Sequence, residues 1–132
     1  MANALGRHLL CEFYDCSTTV LNDAAKVQHY MHRAAECMGA TIVEEVFHEF
    51  SPYGVSGVVV IAESHIAIHT WPEHGYAAVD IFTCGAEMEP RRGIELLVEF
   101  FSAGNHSVRE IARGVLESQN PPKAIGDGEA WR

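Results

Sequence analysis

The sequence predicts an α+β fold, a two-layer sandwich of one antiparallel sheet with two helices on one face. Short apolar runs separated by hairpin-length turns fill the middle of the chain, and a segment of helical spacing lies on either side of them. The resulting order, β-α-β-β-β-β-α-β, suits an antiparallel sheet rather than a parallel one. Such a sheet has a second, bare face. A symmetric partner presenting the same face would cover it, giving a closed dimer of four layers, αββα.

Taken in order, residues 1–6 read as a loose end and Arg7 to Tyr14 as a first strand rich in Leu, Phe and Tyr. Asp15-Cys16-Ser17 breaks that pattern. From an N-cap at Asn22 or Asp23, apolar residues recur at Ala24, Val27, Met31, Ala34, Ala35 and Met38, one face of a helix that Gly39 stops. Thr41 to Phe50 is a second strand, and Ser51-Pro52-Tyr53-Gly54 is turn chemistry. Val55 to Ala62 is a third, whose Val58-Val59-Val60-Ile61 run predicts burial on both faces. His65 to Trp71 and Tyr76 to Thr83 follow as strands around a tight reversal at Pro72-Glu73-His74-Gly75. A second helix is expected over Pro90 to Ala103, with Pro90 in its first turn and Ile94, Leu97, Val98 and Phe101 as its stripe. His106 to Val115 is the last strand. Residues 1–115 thus form a single domain, and 116–132, polar with Pro121-Pro122, Gly126 and Gly128, read as a mobile tail.

The 132 residues, 48% hydrophobic and 20% charged, suit a globular domain with a proper core. Acidic residues outnumber basic ones 18 to 9, for a formal net charge of −9. That disfavours nucleic acid and anionic membrane as partners and mildly favours a cationic small molecule. No apolar run approaches the roughly 18 residues of a membrane span, and MANALGRHLL is too short and polar for a secretory signal. A cytoplasmic protein is expected, with its four cysteines (Cys11, Cys16, Cys37 and Cys84) reduced.

The stretch from Gly54 to Gly85 interrupts its apolar runs with Glu63-Ser64-His65, with His69-Thr70-Trp71-Pro72-Glu73 and with Cys84. Polar groups between buried strands cost folding energy unless bonded, so they invite a functional reading. A serine hydroxyl can attack the carbonyl carbon of the residue before it, turning the Glu63–Ser64 amide into an ester. β-Elimination then splits the chain and leaves a dehydroalanine, whose hydrolysis gives a pyruvoyl group. His69 is a candidate base for the elimination, since neutral imidazole accepts protons near pH 7. Cys84, at a strand end before Gly85, is a candidate proton donor or nucleophile. Taken singly, each has a plainer alternative: an ordinary serine between strands, an exposed strand histidine, a free structural thiol. A metal site ranks low among the eight histidines. His65 and His69 share a strand face but lie about 13 Å apart at about 3.3 Å per residue, so one ion would need His74 or another strand.

The motif ESHIAIHTWPEHGYAAVDIFTCG, preceded by PYGVSGVVVIA, closely resembles the short, self-processing, pyruvoyl-dependent S-adenosylmethionine decarboxylases of bacteria and archaea. The similarity extends through LGRHLLCEFYDC and ATIVEEVFHEFSPYG, covering roughly residues 5 to 86. The resemblance implies cleavage between Glu63 and Ser64, with Ser64 becoming the pyruvoyl group, the covalent cofactor. It implies that His69 processes the precursor with help from Ser56, that Cys84 is the catalytic proton donor, that Phe50 stacks on the adenine and that Glu73 holds the ribose hydroxyls. The substrate amine would form a Schiff base with the pyruvoyl carbonyl, carbon dioxide would leave, and the product would serve as aminopropyl donor for spermidine synthesis. Protomers are expected to pair sheet to sheet around two shared sites. The alternatives are the same chemistry on arginine or ornithine, or a homodimeric binding module in which Ser64 never cleaves.

Overall fold

A computed structural model describes residues 4–116. Six strands form one sheet: β1 (Ala4–Tyr14), β2 (Thr41–Glu49), β3 (Val55–Ala62), β4 (Ser64–Trp71), β5 (Tyr76–Cys84) and β6 (Asn105–Val115). Their order is β2-β3-β4-β5-β1-β6, and every neighbouring pair is antiparallel. Two main helices, α2 (Ala24–Cys37) and α3 (Pro90–Phe100), pack on one face, and a single turn, α1 (Thr18–Leu21), precedes α2. Among the described residues no helix is long and apolar enough to cross a membrane.

The expected cap of α2 is present: the Asp23 carboxylate accepts from the Lys26 N–H at 3.1 Å. Val27, Met31, Ala34 and Ala35 form its buried stripe. α2 and α3 approach closely at Gly93, where an added Cβ would fall 2.7 Å from Met38 Cγ. A side chain there would have to displace the Met38 side chain and would crowd the Ala34 carbonyl at 3.1 Å.

The four central strands, β3, β4, β5 and β1, are sorted by parity. Leu9, Cys11 and Phe13 of β1, Val59 and Ile61 of β3, Ile66 and Ile68 of β4, and Ala77, Val79 and Ile81 of β5 are buried beneath the helices. On the other face lie Tyr14, Val46, Val60 and Trp71, each more than a third exposed.

Several expectations need correction. Val58-Val59-Val60-Ile61 is buried on one face only, with Val60 at 36% exposure, because among the described residues no layer covers the second face. The second helix ends at Phe100 rather than Ala103, since Ser102 adopts a positive φ of 53° and turns the chain into β6. β1 begins at Ala4, inside the supposed loose end, because β6 is long enough to pair with it from Ala4 to Tyr14. β2 stops at Glu49, so Phe50 lies in the turn, while β4 starts at Ser64 and β5 runs on to Cys84. α1 was not expected; it is capped by Ser17, whose Oγ accepts from Val20 N–H at 3.3 Å. The tail expected from residue 116 lies, but for Leu116, outside the described residues.

Candidate active site

The β3–β4 hairpin reverses over so short a turn that Ile61 pairs with Ser64 and, at its far end, Ser56 pairs with His69. That register makes the two expected processing residues cross-strand neighbours. Ser56 Oγ and His69 Nδ1 lie 2.8 Å apart on the helix-free face. In the tautomer that donates Nδ1–H to Ser56 Oγ, Nε2 keeps its lone pair, and the ring is a base held in one orientation.

Ser64 is not brought to them. It is the first residue of β4 and His69 the sixth, a rise of about 16 Å. Parity separates them as well, for Ser64 lies in register with buried Ile66 and Ile68, whereas His69 shares the open face with His65 and Trp71. Cys84, however, is at the Ser64 end. β4 and β5 pair from His65–Phe82 to Trp71–Tyr76, and that register carried past His65 puts Cys84 one residue beyond the start of β4, level with Glu63. There a cleft of about 430 Å³ is lined by Gly39, Thr41, Ala62, Cys84 and Gly85. Gly85, at φ 84°, takes the left-handed turn that ends β5 immediately after the thiol.

Phe50 and Glu73 belong to the His69 end. Phe50 closes the β2–β3 turn through its N–H to Gly54 O at 2.8 Å and presents an exposed ring against His48. Glu73 sits in the single 3-10 turn Pro72–His74 and lines a groove of about 770 Å³ with Tyr53, Glu49 and Asp23. The carboxylates in that groove favour a cationic ligand. The candidate residues thus fall into two groups: Glu63, Ser64 and Cys84 at one end of β4, and Ser56, His69, Phe50 and Glu73 at the other.

Burial pushes the Cys11 thiol up to about 12 and that of Cys16 to about 11, which keeps both protonated and inert. Cys84 is half-buried at the cleft.

Sequence reasoning missed one cluster on the open face. His8 Nε2 lies 3.1 Å and His65 Nε2 2.9 Å from the same Asp80 oxygen, and the three groups come within 4.8 Å of one another. The histidine that joins His65 is therefore not His74. It is His8 on β1, a strand 50 or more residues upstream in the chain but adjacent to β5 in the sheet. Arg113 Nη1 lies 2.8 Å from His8 Nδ1. A guanidinium can only donate, so His8 accepts at Nδ1 and carries its proton on Nε2, facing Asp80. His65 donates to the same carboxylate oxygen. In this state both Nε2 atoms are spent on hydrogen bonds rather than offered to a metal. Strand alternation alone could have paired His65 with Asp80; nothing local pointed to His8.

Residues 7–114 match the family model described as S-adenosylmethionine decarboxylase. A protein of Moorella thermoacetica named S-adenosylmethionine decarboxylase proenzyme is 57% identical over 121 residues, covering 92% of this chain and 94% of its own length. A protein of the same name from Syntrophomonas wolfei is 56% identical over 114 residues, covering 86% and 90%. The crystal structure of the adenosylmethionine decarboxylase from Aquifex aeolicus superposes with a TM-score of 0.83 at 30% identity, over 92% of this chain and 100% of that one.

Proposed function

The chain belongs to the S-adenosylmethionine decarboxylase family, and from that premise we propose how its residues divide the work. It is made as a proenzyme and decarboxylates S-adenosylmethionine. The bond broken in maturation is Glu63–Ser64, and Ser64 supplies a pyruvoyl group at the new N-terminus of β4. The position fits: the residue stays anchored by its pairing with Ile61 at the end of β4 nearest Ala62 and Cys84, which line one cleft. The pyruvoyl group provides the electron sink for the pair released with carbon dioxide.

The chain's own residues do the rest. His69, oriented by Ser56 at 2.8 Å, takes a proton during processing. Cys84 returns a proton to the substrate carbon after carbon dioxide departs. Phe50 offers an exposed aromatic face to the adenine, and Glu73 accepts from the ribose hydroxyls at the rim of the acidic groove. That groove also suits the positive sulfonium of the substrate.

The site is shared between two copies. Proton transfer needs contact at roughly 3 Å, which His69 cannot make with Ser64 of its own chain. A two-fold axis through the open faces carries one copy's His69 end to the other's Ser64 end. It also covers Val46, Val60 and Trp71, which are 58%, 36% and 41% exposed in the single chain.

The observation that carries this reading is the Ser56–His69 pair, held ready on the open face at a distance from the serine it would serve. The test is intact mass of the purified protein, followed by carbon dioxide release from S-adenosylmethionine, arginine and ornithine side by side. Two fragments that meet at Glu63–Ser64, with release from S-adenosylmethionine alone, are expected. A single uncut chain refutes the processing, and release from arginine or ornithine instead refutes the adenosine ligand.

A further inference from the structure

Among the described residues two polar side chains are buried under the helices, Thr70 and Thr83, and they differ in one respect. Thr70 is satisfied twice: its Oγ1 accepts from Val55 N–H and donates to Leu21 O, both at 2.9 Å. The fold explains it. Thr83 is 1% exposed, and its Oγ1 has no hydrogen-bond partner among the described residues. A valine would fill the same space on a buried strand without that cost, so folding does not explain this hydroxyl.

Its position does. β4 and β5 are paired as far as His65–Phe82, and that register extended by one step sets Ser64 against Thr83. Ser64 and Thr83 also share a parity, the helix-facing one. Directly opposed residues on one face have Cβ atoms about 4.5–5.5 Å apart, so their oxygens are within reach of each other after a side-chain rotation.

We propose that Thr83 is a positioning residue for self-cleavage, a fixed donor to the oxygen that leaves Ser64. The inference rests on the processing reading above. In the first step Ser64 Oγ bonds to the Glu63 carbonyl carbon, the Glu63 C–N bond breaks, and the hydroxyl proton ends on the Ser64 nitrogen. In the second, the Ser64 Cα proton goes to a base, the Cβ–Oγ bond breaks, and Glu63 departs as a carboxylate carrying that oxygen. Thr83 transfers no proton. It donates a hydrogen bond to Oγ as negative charge collects there, and a preorganised donor aimed at developing charge speeds such a step. The sheet helps by geometry: the base approaches from the open face and the donor lies on the helix face, so proton and oxygen leave in opposite directions. Bonding only at that stage also accounts for a donor left unpaired beforehand.

The test compares wild type, Ser64→Ala, Thr83→Val and Thr83→Ser, made by cell-free synthesis and followed by intact mass. Thr83→Val should cleave roughly ten- to a hundredfold more slowly than wild type, the scale of one hydrogen bond to a charged group. Thr83→Ser, which keeps the hydroxyl, should recover most of the rate. Melting of Ser64→Ala and of Ser64→Ala/Thr83→Val, both uncut, separates chemistry from folding: the double variant should melt at or above the single one. Cleavage of Thr83→Val at the wild-type rate, Thr83→Ser as slow as Thr83→Val, or a double variant that melts well below the single one would each overturn the proposal. If wild type itself stays whole, like Ser64→Ala, the processing reading falls, and this inference with it.

Discussion

Co-expressing Ser64→Ala with His69→Ala tests the shared site through a number that the geometry sets. Within one protomer, Ser64 and His69 are about 16 Å apart along β4 and on opposite parities. Each site of the proposed dimer therefore combines Ser64 of one copy with His69 of the other. In a mixed dimer, one site joins the two altered residues and is dead, while the other joins intact Ser64 from the His69→Ala chain with intact His69 from the Ser64→Ala chain. Random assortment at equal expression makes half of all dimers mixed, each with one working site of two. Cleavage and decarboxylation should thus return to about a quarter of the wild-type level per protomer, from near zero in either parent. The assay carries its own control in mass: only the His69→Ala chain should split, and the Ser64→Ala chain should stay whole. Failure of recovery in verified mixed dimers would refute the reasoning, as would a protein that stays monomeric at every concentration.

Cys84→Ala should still split into two fragments, but the processed protein should lose about 10²–10⁴-fold in turnover; wild-type turnover would leave the thiol a structural role. Thr70→Val removes the partner of the Val55 N–H and that of the Leu21 carbonyl. At about 1–3 kcal/mol for each stranded group, and about 3–5 °C per kcal/mol for a chain of this size, melting in an uncut Ser64→Ala background should fall by about 6 °C or more. A shift as small as that of Thr83→Val would show that the two bonds contribute little. Stability should also decline in alkali. Burial raises the folded pKa of Cys11 to about 12, so the neutral thiol's contribution is whole below the unfolded value of about 8.5 and is lost as pH climbs from there toward the folded one. Thermal melts between pH 8 and 10 should show this slope, and Cys11→Ala should flatten it; an unchanged slope in that variant would assign the decline to other groups.

Much of this was legible because it is local. Asp23 as cap, the Val27-Met31-Ala34-Ala35 stripe and the Gly39 stop each follow from a period of 3.6 and from turn chemistry within a few residues. The β3–β4 hairpin is equally local: with so short a reversal at Ala62-Glu63, parity and register fix which residues meet, and Ser56 must face His69. The same alternation puts Ser64 and His69 on opposite faces of one strand.

The chain's longer connections were not. β1 crosses over α1 and α2 to lie between β5 and β6, and that insertion alone joins His8 to Asp80, His65 and Arg113. A hydrophobic run cannot state which face its neighbours cover, so Val58-Val59-Val60-Ile61 suggested burial on two faces where one chain supplies one layer. The isolated Thr83 hydroxyl is invisible in sequence for a like reason, because a threonine on a strand looks the same whether bonded, as Thr70 is, or not. Periodicity is written between residues a few positions apart and survives in any context. Strand order, one-sided burial and unpaired donors are settled by which distant segments bury the most surface for the loop closure they require, and that competition is decided only when the whole chain packs.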